Sequence, residues 1–368
     1  MVGLDAAADC MRSLAVKAET MTVRLAGEDL ARVSLLSRAE YVRQIRPHLP
    51  AEAFRASPRK LWGVAVHSIL MLAAVYAIVS IQPWWARLLL AIAGGHSLAC
   101  LAFFGHDLSH GSVVRLRGVK YALELWVWGL RLMPPTVWRR LHNQVHHAHS
   151  NTPLDCDRRA LAPEAPRWVR AIGQTLTPFD NPIKWNPFVA FSFVGYTIGH
   201  VATAFLPGRE HGRSGPYRVA YLRRQRLWIA LEIVVIAAWQ AGLFALTGFN
   251  VATYAWCAIA PLVVSSAVIM AYIFTNHHAN AITECEDPLL GTTSVHLPSA
   301  IDWLHAHFSY HTEHHLFPSI DSTYYPLVSR LLAEKFPERY NRSSFTAVWR
   351  VLWQLPFVGE VEPTPGVR

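Results

Sequence analysis

The stretch LWGVAVHSILMLAAVYAIVSIQPWWARLLLAIAGGHSLACLAFFGHDLSH, residues 61–110, holds two apolar segments separated by a short turn. The segments run from Leu61 to Ile81 and from Leu88 to Phe104. Each comes near the ~20 residues that a helix needs to cross ~30 Å of hydrocarbon. The turn between them carries a proline and two tryptophans of the kind that sit at headgroup level. The stretch therefore predicts a transmembrane hairpin that returns to its starting side.

Further apolar segments follow, and two of them predict a second hairpin. Leu227 to Thr247 and Ala252 to Phe274 are joined by only a few residues. A third segment, Phe188 to Leu206, would place the chain after residue 274 on the opposite face from residues 105–187 if it also crossed the bilayer. We therefore predict four spans, with that segment re-entrant or interfacial. Tyr121 to Trp138 contains charged residues and a proline pair, which predicts an interfacial helix.

Composition supports a membrane protein and argues against other classes. Apolar residues make up 52% and charged residues 16% of the chain, with 14 tryptophans. The net charge of +9 comes from arginines clustered beside apolar runs, which is not the pattern of a nucleic-acid surface. The scattered cysteines form no CxxC pair, which argues against a disulfide framework, and the N-terminus lacks the apolar core of a cleaved signal peptide.

These features together predict an all-α, multi-pass membrane protein. It has about four transmembrane helices in two hairpins, interfacial helices and a cytoplasmic helical cap. The arginine-rich segment between Pro207 and Leu227 is predicted to face the cytoplasm, because the hairpin turns carry little positive charge. The expected division is a cytoplasmic arm (1–60), a membrane domain (61–340) and a cytoplasmic tail (341–368).

The histidines fall into three tight motifs just outside apolar segments. HDLSH and HNQVHH are followed much later by HTEHH, and i, i+3 and i, i+4 spacing places their rings on one side of a helix. Imidazole is a good ligand for iron, copper, zinc or nickel, and one zinc ion takes four ligands at most. Eight histidines therefore indicate two metal ions: His106, His110, His142, His146, His147, His311, His314 and His315. The more isolated histidines are predicted to be ordinary polar or core residues: His48, His67, His96, His200 and His211.

In GHDLSH, LHNQVHH and HTEHHLFP, set beside two hairpins, the sequence resembles the membrane fatty acid desaturase family of histidine-box, di-iron enzymes. The resemblance covers roughly residues 60–340. It implies that the three boxes lie on the cytoplasmic side and together hold two iron ions. It also implies a ninth ligand just after the last span, where the chain reads FTNHHAN. His277 is preferred there over its neighbour His278, and Asn276 could instead hold a metal-bound water.

The resemblance further implies an O2-dependent oxidoreductase that introduces a cis double bond into an acyl chain. Two electrons per turnover would come from ferredoxin or a cytochrome b5-like partner, which must be separate because no HPGG haem motif is present. His311 stands where many relatives that desaturate on the carboxyl side of an existing double bond have glutamine. The carrier of the acyl chain stays open between CoA, ACP and a glycerolipid.

Two other functions use similar residues. A lipid, alkane or carotenoid hydroxylase or ketolase would share the boxes, and a metal transporter would place its ligands near the middle of its spans. Carboxylates near the boxes are candidates to hold metal-bound imidazoles, or are surface acids or caps. They are Asp107, Asp155, Asp157, Asp287, Asp302 and Glu313. His149, His305 and His307 lie outside the family pattern and are not predicted to bind metal.

Overall fold

Four long apolar helices form the membrane part of the structure. The computed structural model describes residues 35–152, 154–157, 197–202, 204–205, 219–280 and 286–354. Within these ranges, four helices are long and apolar enough to cross a bilayer. They are Pro58–Ser80, Trp84–Ser109, Arg223–Leu246 and Val251–His278. The predicted all-α fold with four spans in two hairpins is confirmed.

Shorter helices and strands lie on one side of the bundle that the four long helices form. In chain order the helices and strands are α1 (Arg38–Ile45), α2 (Leu61–Ser80), α3 (Trp84–Ser109), α4 (Arg117–Gly129), α5 (Pro135–Trp138), α6 (Arg223–Leu246), α7 (Val251–His278), α8 (Pro288–Gly291), β1 (Ser294–His296), α9 (Ser299–Leu304), α10 (His311–Leu316), α11 (Tyr325–Lys335), β2 (Arg342–Ser344) and α12 (Phe345–Gln354). Single 3₁₀ turns occupy Arg46–His48, Ala51–Phe54, Pro58–Lys60 and Ser322–Tyr324.

Helix α3 lies at the centre of the bundle and packs against α2 and α7. A Cβ atom at Gly95 would come within 2.6 Å of the Pro261 carbonyl oxygen and of the Val264 side chain. The glycine therefore lets the two helices approach each other closely, as small residues do in membrane proteins. This contact fixes the end of α3, which carries the first histidine motif, relative to the end of α7.

Two of the helices contain π-helical turns at the histidine motifs. Helix α5 continues through a π-helical segment, Arg139–His146, and then into His147–His149. Helix α7 contains one π-helical segment, Ala255–Ile259, and ends in another, Phe274–His278. Such turns are rare and occur frequently at functional sites. A π-helical turn changes which side chains point to the same face. An α-helical wheel drawn from the sequence therefore does not predict the side-chain directions in these segments.

A cap of short elements covers the histidine-bearing end of the bundle. The strands β1 and β2 pair in parallel, and Asp287 ties α1 to this cap. Its carboxylate accepts hydrogen bonds from the Tyr41 hydroxyl at 2.9 Å and from the Arg339 guanidinium at 2.5 Å. Helix α12 packs into the main core through Val348 and Leu352. Helices from before residue 60 and from after residue 340 therefore pack with the membrane domain, and the domain boundaries at 60 and 340 stay predictions.

Two sequence predictions concern segments between the hairpins. Most of Phe188 to Leu206 lies outside the described residues, so its re-entrant or interfacial position stays a prediction. Helix α4 has 13 residues, well short of the ~20 needed to span a bilayer. Its buried Glu124 accepts a hydrogen bond from Arg139 at 2.7 Å. That ion pair links α4 to the helix carrying the second histidine motif.

Candidate metal centre

The nine histidines that the sequence singles out meet at one end of the helix bundle. They come from the end of α3, the continuation of α5, the last turn of α7, and α10. They separate into two groups, and within each group one nitrogen of every ring lies within 4.8 Å of the others. The first histidine group is His106, His110, His142, His147 and His314, and the second histidine group is His146, His277, His311 and His315.

Ring nitrogens of the first group point at one another. The Nε2 atoms of His106 and His142 are 2.9 Å apart, and those of His147 and His314 are 3.0 Å apart. The Nε2 atom of His110 is buried and has no hydrogen-bond partner among the described residues. Pairwise hydrogen bonds therefore leave one ring of this group unsatisfied, whereas a shared cation would engage all five.

The second group converges in the same way. The Nε2 atom of His311 lies 2.6 Å from that of His277 and 3.2 Å from that of His315. One ring nitrogen is either a donor or an acceptor, so three converging nitrogens are poorly served by hydrogen bonds alone. Imidazole nitrogens bind a metal ion at about 2.0–2.1 Å, which puts neighbouring ligands about 3 Å apart. The closest nitrogen pairs of both groups have this spacing, so the residues present fit two metal ions held by imidazole.

Burial keeps most of these rings neutral. Desolvation penalises the protonated ring and neighbouring imidazoles would repel its charge, so the pKa values of five histidines fall well below the ordinary value: His110, His147, His311, His314 and His315. Burial likewise lowers the pKa of His142 to about 3. Neutral imidazole is the form that binds a metal. At neutral pH these rings present lone pairs without first losing a proton.

His146 is the exception, because two carboxylates face it. Burial would lower its pKa, but the charges of Asp155 and Asp157 outweigh burial and raise the pKa to about 9. Its Nδ1 atom lies 2.9 Å from Asp155 Oδ1 and 3.4 Å from Asp157 Oδ2. Nδ1–H therefore donates to Asp155, and Nε2 is left for the second group. This is the usual support of a metal-bound histidine, and the carboxylates would stabilise positive charge on a metal as they do on a proton.

A tyrosine that the sequence did not single out supports the first group. The Tyr325 hydroxyl lies 3.1 Å from Nδ1 of His314, and its ring is fully buried. Tyr325 begins α11 and belongs to none of the histidine motifs, so the sequence gave no sign of this contact. Asp107 also lies near this group, with its carboxylate 3.9 Å from Nδ1 of His106.

The remaining carboxylates near the boxes bond to other partners. Asp287 accepts from Tyr41 and Arg339, as described above. The Asp302 carboxylate accepts from the Ser309 hydroxyl, and Glu313 accepts from the hydroxyls of Ser294 and Tyr340. These acids shape the cap and do not hold imidazoles.

The two adjacent histidines at the end of α7 have different surroundings. His277 belongs to the second group, whereas the ring of His278 packs edge-on against Phe274 at 4.7 Å between centroids. His278 is in neither group. The geometry thus favours His277 as the candidate ligand, in agreement with the preference stated from the sequence.

A smaller cluster lies beside the first group. The Nε2 atoms of His96 and His305 are 3.0 Å apart, Cys100 Sγ lies 3.8 Å from Nδ1 of His96, and the Tyr272 hydroxyl lies 2.7 Å from Nδ1 of His305. Neither histidine was predicted to bind metal. Here the two imidazoles bond to each other and His305 also bonds to the phenol, which satisfies both ring nitrogens of the buried His305.

The comparison with known proteins agrees with this architecture. A profile of the fatty acid desaturase family matches residues 83–346, which is more than half of the chain and includes all nine histidines. The chain belongs to the fatty acid desaturase family. As a member of this family it is an oxidoreductase and an integral membrane protein, and the buried histidine groups indicate that this desaturase has a metal centre.

Three acyl-lipid desaturases are similar to this chain. The sn-1 oleoyl-lipid 12-desaturase of Anabaena variabilis is 26% identical over 282 residues, 74% of this chain and 76% of that protein. The sn-1 linoleoyl-lipid 6-desaturase of Arthrospira platensis is 23% identical over 315 residues, 81% of this chain and 84% of that protein. A second sn-1 oleoyl-lipid 12-desaturase, from Picosynechococcus sp., is 27% identical over 135 residues, 36% of this chain and 39% of that protein.

An acid within a membrane helix holds the second histidine motif of this desaturase in place. Glu232 of α6 is 1% exposed. Its carboxylate accepts hydrogen bonds from the Thr136 amide at 3.1 Å, the Thr136 hydroxyl at 2.6 Å and the Tyr121 hydroxyl at 3.0 Å. Thr136 lies in the first turn of the helix that carries His142 and His146, where an acceptor satisfies an otherwise unpaired amide.

Replacing Glu232 with alanine is therefore expected to lower both stability and metal content. The buried Thr136 amide and hydroxyl lose their acceptor, at a cost of about 1–3 kcal/mol in the free energy of unfolding. Denaturant titration and metal analysis of the purified protein measure the two effects. Gln240→Ala is the matched control, because Gln240 lies on the same helix and bonds only the distant Tyr254 hydroxyl at 2.9 Å in the described contacts. Equal behaviour of the two variants would contradict the positioning role of Glu232.

Proposed function

We propose that this chain is a di-iron, O2-dependent acyl-lipid desaturase that introduces a cis double bond into an acyl chain. The observation that carries the proposal is the meeting of nine buried histidines in a group of five and a group of four. The family match and the names of the relatives, which are acyl-lipid desaturases, support the reaction and a lipid-borne substrate. The position of the double bond and the length of the chain are left to experiment.

The proposed ligands of the two iron ions are the members of the two histidine groups. Bound iron would supply the activation of O2, because no protein side chain removes hydrogen from an unactivated methylene. The chain itself supplies the rest of the site. Asp155 holds the Nδ1 proton of His146, Tyr325 contacts Nδ1 of His314, and the neutral rings offer their Nε2 lone pairs. Burial of the rings in the protein keeps bulk water from them.

The electron balance requires a partner. Conversion of a CH2–CH2 unit to CH=CH releases two electrons and two protons, and reduction of O2 to two waters consumes four of each. Two electrons and two protons must therefore come from outside, and we assign the electrons to ferredoxin or a cytochrome b5-like protein. The arginine-rich segment before α6 supports a cytoplasmic position for the histidine-bearing end, where such a soluble donor could reach it.

Expression in a host that lacks the activity is expected to yield a new unsaturated acyl product. Profiling of lipid acyl chains by mass spectrometry gives the loss of two hydrogens and the position of the double bond. His314→Ala should abolish the product, since His314 belongs to the first group. The matched control is His48→Ala, because His48 is exposed and outside both groups.

Other outcomes separate the competing functions. A gain of one oxygen in place of the loss of two hydrogens would identify a hydroxylase, and a gain of one oxygen with the loss of two hydrogens would identify a ketolase. An unchanged acyl profile together with purified protein that lacks iron would contradict the proposal. Metal uptake without any acyl product would favour a transporter.

A further inference from the structure

An apolar groove of about 450 Å³ runs along the outside of the first membrane helix. It lies between the N-terminal half of α2 and the segment 303–307, which begins in the last turn of α9. Its apolar walls are Trp62, Val66, Leu70, Phe104, Trp303 and Leu304. The side chain of Trp62 is 76% exposed and that of Trp303 is 70% exposed, so the groove opens sideways to the surface that faces lipid.

The length of the groove matches part of one leaflet. Its residues on the first span recur every three or four positions from Arg59 to Leu70, which places them on one face of the helix. Eleven steps along a helix cover about 16 Å, about half of the ~30 Å hydrocarbon layer. The floor is the ring of Phe104, which packs directly onto Gly63: a Cβ atom there would lie 2.2 Å from the ring. The glycine at residue 63 therefore lets the Phe104 ring lie against α2, where it closes the floor of the groove.

The polar end of the groove carries one exposed cation. Arg59 has a side chain that is 75% exposed, and its nearest carboxylate contact is with Asp321 at 3.6 Å. Lys60 beside it is 8% exposed and neutralised, with Nζ 2.6 Å from Asp107 and 3.1 Å from Asp321. Arg59 is thus the cation at the rim that an anionic headgroup would meet first. A guanidinium can bind phosphate oxygens through two parallel hydrogen bonds.

A buried histidine also lines the groove. His67 lines it and is 5% exposed, and its Nδ1 atom is buried without a hydrogen-bond partner among the residues that the structure describes.

One end of the groove lies beside the segment that precedes Phe308, a residue in contact with the histidine groups. Ala306 and His307 line it, and both have left-handed backbone conformations with φ of 53° and 60°. Such conformations are held in place by their surroundings, here by the Ser322 hydroxyl, which donates to the Ala306 carbonyl at 2.9 Å. The next residue, Phe308, contacts the ring of His106 at 5.0 Å and that of His311 at 5.4 Å between centroids.

We propose that this groove binds an acyl chain of an anionic phospholipid from the adjoining leaflet, with its phosphate on Arg59. A lipid-borne substrate would then enter from the bilayer without its acyl chain crossing water, and a soluble acyl thioester would not be the preferred occupant. The role as a substrate site rests on the desaturase function proposed above. Binding of the lipid does not depend on that function.

Photo-crosslinking tests the site directly. The full chain is placed in phosphatidylcholine vesicles that contain phosphatidylglycerol with a diazirine in one acyl chain, and labelled peptides are located by mass spectrometry. Label is expected within residues 57–70 and 303–307. Val66→Trp fills the groove and should lower this labelling about fivefold or more. Ile69→Trp is the matched control, because Ile69 is 65% exposed on the same helix and does not line the groove.

The headgroup contact has its own pair of variants. Arg59→Gln should reduce the preference for phosphatidylglycerol over diazirine-labelled phosphatidylcholine about fivefold, which corresponds to about 1 kcal/mol. Arg55→Gln, an exposed arginine outside the groove, should leave the preference unchanged. Equal effects of Arg59→Gln and Arg55→Gln would overturn the assignment of the phosphate to Arg59.

The remaining outcomes distinguish this site from the proposed function. Equal labelling of Val66→Trp and Ile69→Trp would mean ordinary lipid contact along the helix and would overturn the groove. Stronger labelling by a diazirine acyl-CoA than by the phospholipid would overturn the substrate class. Specific groove labelling by a chain that forms no desaturated product would support the lipid site and contradict the desaturase function. Product formation by a chain whose groove is not labelled would support the desaturase function and contradict the lipid site.

Discussion

His277→Ala is expected to remove iron from the second histidine group and to abolish desaturation. The Nε2 atom of His277 lies 2.6 Å from that of His311, and the second group has only four members. Loss of residues that merely support a metal ligand costs about 10–100-fold in affinity or activity, so loss of a ligand should cost more than about 100-fold. Iron per folded protein, measured by elemental mass spectrometry, is expected to fall from two toward one.

The neighbouring residue provides the control for this prediction. His278→Ala removes a buried ring that packs against Phe274, so some loss of stability is expected, but the iron content of the folded protein should stay near two. Metal is therefore measured only on the monodisperse fraction after size-exclusion chromatography. Retention of iron by His277→Ala and its loss from His278→Ala would show that the assignment is reversed.

The distinction between these two neighbours illustrates what the sequence could not supply. Spacing from the end of the apolar segment cannot separate adjacent positions, and the end of α7 is a π-helical segment. One extra residue in the turn rotates the following side chains relative to an α-helix. The preference for His277 came from the family resemblance, and the geometry adds an independent physical reason for it.

The transmembrane helices were more accessible to prediction, because apolar length is a property of the sequence itself. Even so, α3 runs to Ser109, five residues beyond the last residue of the apolar segment. His106 and Asp107 lie in those last turns and are 3% and 4% exposed. These polar residues are buried inside the protein at the end of the span. A segment defined by counting apolar residues therefore ends before it reaches them.

The division of the histidines into five and four could not be predicted. His314 and His315 are adjacent in sequence yet belong to different groups, and so do His146 and His147. Consecutive residues of a helix point about 100° apart, so a helix lying between two sites supplies each site in turn. The spacing within a motif shows that metal binding is feasible, while the assignment to one ion or the other depends on how the helices pack.

Lys60→Met is expected to destabilise the protein strongly. The Lys60 ammonium lies between two buried carboxylates, 2.6 Å from Asp107 of α3 and 3.1 Å from Asp321 of the cap, and also donates to the Ser322 hydroxyl at 2.8 Å. Methionine keeps most of the volume but leaves two buried negative charges without their shared cation. Breaking a buried ion pair in this way costs about 3–5 kcal/mol. Denaturant titration in detergent, followed by tryptophan fluorescence, measures the loss.

A matched substitution and a change of pH make this prediction specific. Lys335→Met removes an exposed lysine at the end of α11 and should change the free energy of unfolding by no more than about 0.5 kcal/mol.

Burial alone would raise the pKa of Asp321, but the charge of Lys60 and the hydrogen bonds of the folded protein lower it to about 2. A carboxyl whose pKa is lowered by folding stabilises the protein above its ordinary pKa, and this stabilisation is lost as the pH falls from about 4 to about 2. In Lys60→Met the carboxyl is buried without its cation, so it should become protonated at higher pH and the penalty should shrink. The stability difference between wild type and Lys60→Met should therefore narrow as the pH is lowered from 7 toward 3. A constant difference over that range would mean that Lys60 acts through packing and not through its charge.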